Sequence, residues 1–283
     1  MRRLAATIVL LASGCVLPQP RTVVAEPSEL DPIERLGRWD GETFVAVGRQ
    51  TVPPGWGRAV LRDPRLRSWE ARDRRGRPFE PWTRHMAEAI TETDPHAVVL
   101  VYSWIDDAAT SRFLLANRNA LSYTDLHGRS LAAALSEATA PDFVERSGRV
   151  HLIGHSYGAR VATLAAMSLP KAPRQLTLID VPDAPMTAIT GSRANLEELL
   201  PHLPIGAAPG RTFVDNYFSM YGERYSDAVP GVVDVALTPP FNAFAVRRRH
   251  LYGTWFYTES ANHEFGMRWS PLIGGRPPAP GLC

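Results

Sequence analysis

The residues best suited to chemistry lie at positions 154–158, where Gly-His-Ser-Tyr-Gly fits the pattern G-x-S-x-G. The apolar run 149–153 before them predicts a buried strand, and the run 157–169 after them, rich in Ala, Leu and Met, predicts a helix. A sharp turn from strand to helix holds its serine in a strained conformation with the hydroxyl exposed, and small residues on both sides let neighbouring backbone pass. The pattern therefore predicts that Ser156 is a nucleophile.

A serine nucleophile needs a base, because a free hydroxyl reacts poorly at neutral pH, and the base needs an acceptor that fixes its tautomer. In the chain order serine, acid, histidine, the base follows the last strand. Of the eight histidines, His250 and His263 lie there. We expect His250 to be the base, since it begins an aromatic run that could dock its loop against the sheet, and His263 to be a solvated loop residue. His151 and His155 are expected to pack beneath or beside the turn.

Two aspartates could supply the acceptor for the histidine. Asp180 ends the strand after the predicted nucleophile helix, and Asp215 ends the next predicted strand, 211–214. Loops from both strands can reach His250, so the residues alone leave the choice open. Asp183 is a third and more remote candidate.

Backbone N–H groups are expected to bind the oxyanion of the reaction. One belongs to Tyr157, the residue after the nucleophile, where the helix also presents the positive end of its dipole. A second donor is expected from the loop after the first strand, at Arg49 or Gln50. The sequence predicts no cofactor and no metal site, because Asp106 and Asp107 have no third ligand at useful spacing; a loop or helix-cap role is expected for them.

The elements that must position these side chains alternate along the chain. Apolar runs predict strands at 43–47, 97–102, 149–153, 175–179, 211–214 and 232–237, with helices at 121–140 and 157–169. Helical spacers between continuous apolar strands predict an α/β fold with a mostly parallel sheet and helices on both faces. With 283 residues, 45% of them hydrophobic, the chain suits one such domain over residues 41–283. The Pro-rich segment 182–210 could be a cap over the site or a surface excursion packed on the core.

The N-terminus has the pattern of an export signal. Three residues with two arginines precede a short apolar run, 4–12, that is too brief to span a bilayer. Residues 11–15 resemble the lipobox of bacterial lipoproteins, except that Ala12 stands where a large aliphatic residue is usual. We expect a signal peptide over 1–14, lipid on Cys15, a tether over 15–40 and attachment to the outer membrane or cell surface. Cleavage by an ordinary signal peptidase, or an uncleaved anchor, is the alternative.

The charge balance bears on the class of partner. Removing Arg2 and Arg3 with the signal leaves 29 basic and 29 acidic residues. A domain balanced in this way has no electrostatic footprint for nucleic acid. The expected partner is therefore not nucleic acid but, through the lipid anchor, a membrane.

The order of the motifs resembles the catalytic domain of pancreatic-type lipases and, more closely, bacterial lipase-like α/β hydrolases of uncharacterised substrate. The matching segments are 101–104, 150–156, 178–180, 213–215 and 250–260. The resemblance implies an α/β-hydrolase fold, His250 as the base and, by the pancreatic pattern, Asp180 as the acid. The chain is expected to depart from the pancreatic group in the disulfides, the C-terminal β-sandwich and the His-Gly pair of the oxyanion loop.

The resemblance implies a serine hydrolase that cleaves carboxylic esters, lipid esters among them, through an acyl-enzyme and a Ser-His-Asp triad. The same triad geometry also serves acyltransferases and peptidases, which stay open as alternatives. A catalytically silent envelope binding protein on the same scaffold is an alternative from another class. An intact Ser156, His250 and two acids argue against it, because a silent scaffold has no physical need for all four.

Overall fold

A computed structural model of the chain describes residues 42–47, 63–71, 81–94, 97–108, 113–139, 150–184, 193–219, 221–239 and 246–262. The predictions that fall outside these ranges concern the signal 1–14, the tether 15–40, Cys15, Arg49, Gln50 and His263. Within the described ranges, none of the helices combines the length and the apolar character that crossing a bilayer requires.

Seven strands form one sheet in the order β2-β3-β1-β4-β5-β6-β7. They are β1 (Glu42–Val47), β2 (Leu66–Ser68), β3 (Val98–Ser103), β4 (Val150–His155), β5 (Gln175–Ile179), β6 (Phe213–Phe218) and β7 (Val232–Ala236). Strands β4 to β7 pair in parallel, whereas β1 runs antiparallel to both β3 and β4, and β2 runs antiparallel to β3. The predicted α/β class is confirmed, and all strands except β1 and β2 point the same way.

The direction of β1 differs from the expected parallel arrangement, and the physical reason is simple. A strand that is buried on both faces is apolar along its whole length whichever way it runs. The apolar run therefore located β1 within one residue but did not reveal its direction.

Helices cover the two faces of the sheet. They are α1 (Pro81–Thr93), α2 (Ile105–Ala108), α3 (Phe113–Thr139), α4 (Tyr157–Ser168), α5 (Leu196–Leu199) and α6 (Val246–Glu259), with 3-10 turns at Leu200–His202 and Ser260–Asn262. The helix predicted at 121–140 thus begins earlier, at Phe113, and the sequence analysis did not predict β2, α1 or α6.

Alternate side chains of each central strand enter two separate hydrophobic layers. One layer joins the strands to α3 and α4 through Leu152, Leu176, Val214, Leu131, Leu135 and Val161. The other joins them to α1 and α6 through Ile153, Ile179, Tyr217, Met86, Leu251 and Phe256. Each fully buried side chain of this kind contributes roughly 1.5–3 kcal/mol from the area removed from water. The strand ends that carry the candidate site are therefore held from both faces.

The described part of the segment 182–210 packs on the body of the domain. Leu196, Leu200 and Leu203 lie in the same hydrophobic layer as α3 and α4. The carboxylate of Asp183 accepts hydrogen bonds from the N–H groups of Asn195, at 2.6 Å, and Leu196, at 2.9 Å. The described residues of this segment therefore form a surface excursion that packs on the core, which is one of the two arrangements predicted for it.

Two glycines allow close approaches that the site depends on. A Cβ atom on Gly154, in β4, would lie 2.5 Å from the carbonyl oxygen of Gly158 and closer still to the Cα atom of Ala159. A Cβ atom on Gly253, in α6, would lie 2.6 Å from Cγ2 of Ile179. Gly154 thus lets α4 turn back tightly over β4, and Gly253 lets α6 lie close to the end of β5.

We predict that Gly154→Ala lowers the free energy of unfolding by about 3 kcal/mol, because the added methyl group meets backbone that cannot move alone. Gly210→Ala is the matched control: no atom lies within 4 Å of the added methyl group, so only the positive φ of 80° opposes it, at about 1 kcal/mol. Urea unfolding followed by circular dichroism measures both values. Equal losses in the two variants would contradict this account of the turn.

Candidate active site

Ser156 lies at the turn between β4 and α4. Its φ of 55° and ψ of −129° are strained for a residue with a side chain, and the other described non-glycine residues with positive φ are Asp180 and Asn195. The N–H of Ser156 donates to the carbonyl oxygen of Ile179 at 2.9 Å, which ties the turn to the end of β5. The Ser156 side chain makes no capping bond to α4, so the helix does not consume its hydroxyl.

Tyr157 is the first residue of α4, as the oxyanion prediction requires. Its N–H therefore belongs to the first turn of the helix, where N–H groups have no acceptor within the helix. The positive end of the helix dipole lies at the same place. Negative charge that develops beside Ser156 would be stabilised there.

His250 and Asp180 are in direct contact. The Nδ1 atom of His250 lies 2.5 Å from Oδ2 of Asp180, and both side chains are buried. His250 belongs to α6, which corrects the expectation that it lies in a loop. The contact joins the end of β5 to α6 across a separation of 70 residues in the chain.

The second oxygen of the Asp180 carboxylate is held by the loop after β6. Oδ1 accepts hydrogen bonds from the N–H of Ser219 at 2.8 Å and from its hydroxyl at 3.1 Å. The N–H groups of Tyr221 and Gly222 donate to the same oxygen at 3.3 Å each. The Ser219 hydroxyl also lies 3.1 Å from the carbonyl oxygen of Arg249, the residue before His250. One loop therefore orients Asp180 and touches the segment that carries His250.

These contacts keep Asp180 ionised although it is buried. Burial raises the pKa of the carboxyl, but the hydrogen bond and charge of His250 and the Ser219 N–H together outweigh it, and the pKa lies below its ordinary value. A buried carboxylate that stays charged can fix the tautomer of an imidazole and stabilise its cation.

His155 connects α6 to β4. Its Nε2–H donates to the carbonyl oxygen of His250 at 3.1 Å, and the two rings lie 4.4 Å apart between centroids. Ser156 follows His155 directly, and the N–H of Ser156 is bonded to the carbonyl of Ile179, the residue before Asp180. The fold therefore brings Ser156, Asp180 and His250 to one edge of the sheet.

Asp215 lies elsewhere, and the strand boundary assigned to it was wrong. Strand β6 extends from Phe213 to Phe218, so Asp215 lies within the strand and not at its end. Its carboxylate accepts hydrogen bonds from the Thr177 hydroxyl at 2.6 Å, the Tyr217 hydroxyl at 3.1 Å and the amide of Gln175 at 3.3 Å. His250 contacts Asp180, whereas the hydrogen bonds of Asp215 link β6 to β5.

His151 shares the polar cluster of Asp215 beneath the site. Because the Thr177 hydroxyl donates to Asp215, the same oxygen accepts from His151 Nε2 at 2.7 Å. Burial lowers the pKa of His151 to about 3. Burial also raises the pKa of Asp215 to about 7, against the opposing effect of its hydrogen bonds with Thr177, Gln175 and Tyr217.

The second oxyanion donor was assigned to Arg49 or Gln50, which lie outside the described residues. Strand β1 ends at Val47, and Val47 pairs with Val150 at the far end of β4 from Ser156. Because β1 is reversed, its last residue lies at the opposite edge of the sheet from Ser156, and this assignment gains no support. Strand β3, by contrast, ends at the same edge as β4, so the segment that begins at Trp104 is better placed.

Two contacts were missed by the sequence analysis, of which the first bears on the candidate site. Ser219 directly follows β6, and the carboxyl ends of parallel strands meet at one edge, so its position could have marked it as a neighbour of Asp180. Asp107 was expected in a loop or cap, but its carboxylate contacts the buried His127 at Nε2, at 2.9 Å. That pairing, between α2 and α3, has no signal in the sequence.

A model of the alpha/beta hydrolase family matches residues 114–274, which is more than half of the chain. The matched range contains Ser156, Asp180, Asp215 and His250. The match supports membership of the alpha/beta hydrolase family as a whole. The resemblance to lipases stays a prediction. No curated protein matches the chain.

The opposed pKa shifts of Asp215 and His151 predict a pH dependence of stability. Asp215 holds its proton more tightly when folded, so between about pH 4 and 7 its contribution to the free energy of unfolding falls as pH rises. His151 resists protonation when folded, so between about pH 3 and 6.5 its contribution rises with pH. Over the shared range the two contributions cancel in the wild type.

Removing one of the two groups should reveal the pH dependence that the other contributes to the free energy of unfolding. Relative to wild type, Asp215→Asn should gain about 2 kcal/mol of unfolding free energy between about pH 4.5 and 6.5, and His151→Gln should lose a similar amount. Urea unfolding at several pH values measures the differences, in which the contributions of all other groups cancel. Parallel pH profiles for wild type and both variants would show that the buried cluster does not titrate as described.

Proposed function

Because the chain belongs to the alpha/beta hydrolase family, we propose that it is a serine esterase that cleaves carboxylic esters through an acyl-enzyme on Ser156. The observation that carries the proposal is the contact of His250 with Asp180 at 2.5 Å, beside the strained turn of the nucleophile. His250 is the base, Asp180 is the acid, and the N–H of Tyr157 is the first oxyanion donor.

Acylation begins with proton transfer. Asp180 occupies Nδ1 of His250, so Nε2 is the nitrogen that accepts the proton of the Ser156 hydroxyl as Oγ attacks the ester carbonyl carbon. The carbonyl oxygen becomes an oxyanion, and the Tyr157 N–H at the start of α4 stabilises it. The imidazolium of His250 then gives its proton to the leaving alkoxide oxygen, the bond from carbon to that oxygen breaks, and the alcohol departs.

Deacylation repeats the sequence with water as the nucleophile. His250 takes a proton from water, the hydroxide attacks the acyl carbon, and the returning proton restores the Ser156 hydroxyl as the carboxylic acid leaves. In both halves the ionised Asp180, whose pKa is lowered by its hydrogen bonds, stabilises the transient imidazolium. The segment after β3 that begins at Trp104 would supply the second oxyanion donor.

The proposed setting is the cell envelope. The signal over residues 1–14 and the lipobox-like residues 11–15 favour export and lipid attachment at Cys15, with 15–40 as tether. Esters of lipids or of small molecules outside the cytoplasmic membrane are then the substrate class.

We predict that Ser156→Ala lowers kcat for a short-chain p-nitrophenyl ester by several orders of magnitude, on the order of 10⁴ or more, with the fold intact. Ser168→Ala is the matched control, because Ser168 lies at the other end of α4 and bonds to the carbonyl of Leu164. Wild-type turnover in Ser156→Ala would refute the assignment of the nucleophile.

One pair of variants tests which of the two aspartates is the acid of the triad. Asp180→Asn should lower kcat by about 10⁴, because an amide cannot hold the required tautomer of His250 or stabilise its cation. Asp215→Asn should change kcat by less than about tenfold, since Asp215 bonds to Thr177 and Tyr217 beneath the site. Steady-state kinetics on both variants provide the test, and small, equal losses would remove both aspartates from the mechanism.

The location is tested at Cys15. Cys15→Ser should release the protein from membranes or mislocalise it, because the acyl chains on that residue supply the hold, while the activity of the domain stays unchanged. Cell fractionation with immunoblotting, followed by an ester assay on each fraction, gives both values. Wild-type protein that fractionates as a soluble species, as Cys15→Ser does, would contradict the lipid anchor.

A further inference from the structure

His155 is buried beside the candidate site, between the rings of His250 and Trp82. It extends from the last position of β4, next to Ser156. Its ring lies 4.4 Å from that of His250 and 5.6 Å from that of Trp82, measured between centroids. Its Nε2–H donates to the carbonyl oxygen of His250 at 3.1 Å.

This contact bears on how accurately α6 must be placed relative to β4. The nucleophile belongs to the β4–α4 turn, whereas the base belongs to α6, and the two elements lie far apart in the chain. Proton transfer depends on how α6 is set against β4, and a misplacement of about 1 Å can cost about 100-fold in rate. The hydrogen bond from His155 to the backbone of His250 is a direct link between those two elements.

We propose that His155 is a positioning residue, which sets His250 against Ser156 by holding the His250 backbone with its Nε2–H and by supporting the imidazole with its ring. The proposal rests on the proposed serine esterase function. The hydrogen bond of His155 reaches the backbone carbonyl of His250, so we expect His155 to act through His250.

The charge state of the surroundings fits this role. His250 is faced by Asp180 from the end of β5, by Tyr221 from the loop after β6, with rings 4.7 Å apart, and by His155 from β4. Asp180 is the anion that balances the imidazolium formed during catalysis. The His155 ring lies 4.4 Å from that of His250 on the side of β4, and its Nε2–H donates to the His250 backbone.

The contribution of the hydrogen bond is separable from that of the ring. His155→Phe keeps a ring between Trp82 and His250 but removes the donor. His155→Gln keeps an N–H near the position of Nε2, and His155→Asn carries the same amide one methylene too short to reach the His250 carbonyl. His151→Phe is the matched control, since His151 is buried on the same face of β4 and bonds to Thr177.

We expect His155→Phe to lower kcat for a p-nitrophenyl ester about 10- to 100-fold with KM within about threefold of wild type. His155→Gln should recover most of that loss, and His155→Asn should not. The proton between His250 Nδ1 and Asp180 should give a downfield ¹H resonance, identified by its loss in Asp180→Asn. It should shift or broaden in His155→Phe and His155→Asn and stay in place in His151→Phe.

Two results would overturn the proposal. One is a His155→Phe variant with kcat within about twofold of wild type and an unmoved resonance. The other, which holds even where His155→Phe does not fold, is equal kcat and equal resonance position in the Asn and Gln variants. If the wild type cleaves no ester, the proposed function fails, and the resonance comparison still decides whether His155 positions His250.

Discussion

The contact of Asp180 with His250 is the interaction on which the rest of the site depends. It places a charged carboxylate in the interior, where an ion without hydrogen bonds would be too costly to hold. The loop after β6 offsets that cost, because the N–H and hydroxyl groups of Ser219 and two further N–H groups donate hydrogen bonds to the Asp180 carboxylate. The close approach of α6 at Gly253 meets the geometric requirement, because a side chain there would collide with Ile179 and lift His250 from the strand end.

The same strand ends hold two strained residues in place. Ser156 and Asp180 both have positive φ, which costs on the order of 1–3 kcal/mol each for a residue with a side chain. The N–H of Ser156 is bonded to the carbonyl of Ile179, and the N–H of Asp180 to that of Tyr217, at 2.7 Å. The hydrogen bonding between neighbouring parallel strands thus continues one residue past each strand and fixes the two turns relative to each other. The sheet itself therefore positions Ser156 and Asp180.

The sequence revealed those parts of the site that local patterns determine. Ser156 and the strand and helix around it follow from apolar runs and from small residues at fixed spacing. The choice between Asp180 and Asp215 does not, because both follow apolar runs and only the register shows that β6 continues past Asp215. Helix α6 was missed because its arginines and aromatic residues give no apolar periodicity, and the direction of β1 has no local signal at all.

The central claim is that the Asp180–His250 pair activates Ser156, and covalent labelling tests it most directly. A fluorophosphonate reacts with a serine that is made nucleophilic by a base and bound beside an oxyanion hole. Purified protein should take up one phosphonyl group per chain, and peptide mass mapping should place it on Ser156. The label should be lost in His250→Ala and strongly slowed in Asp180→Asn. An unlabelled wild type, or a label on another residue, would contradict the account.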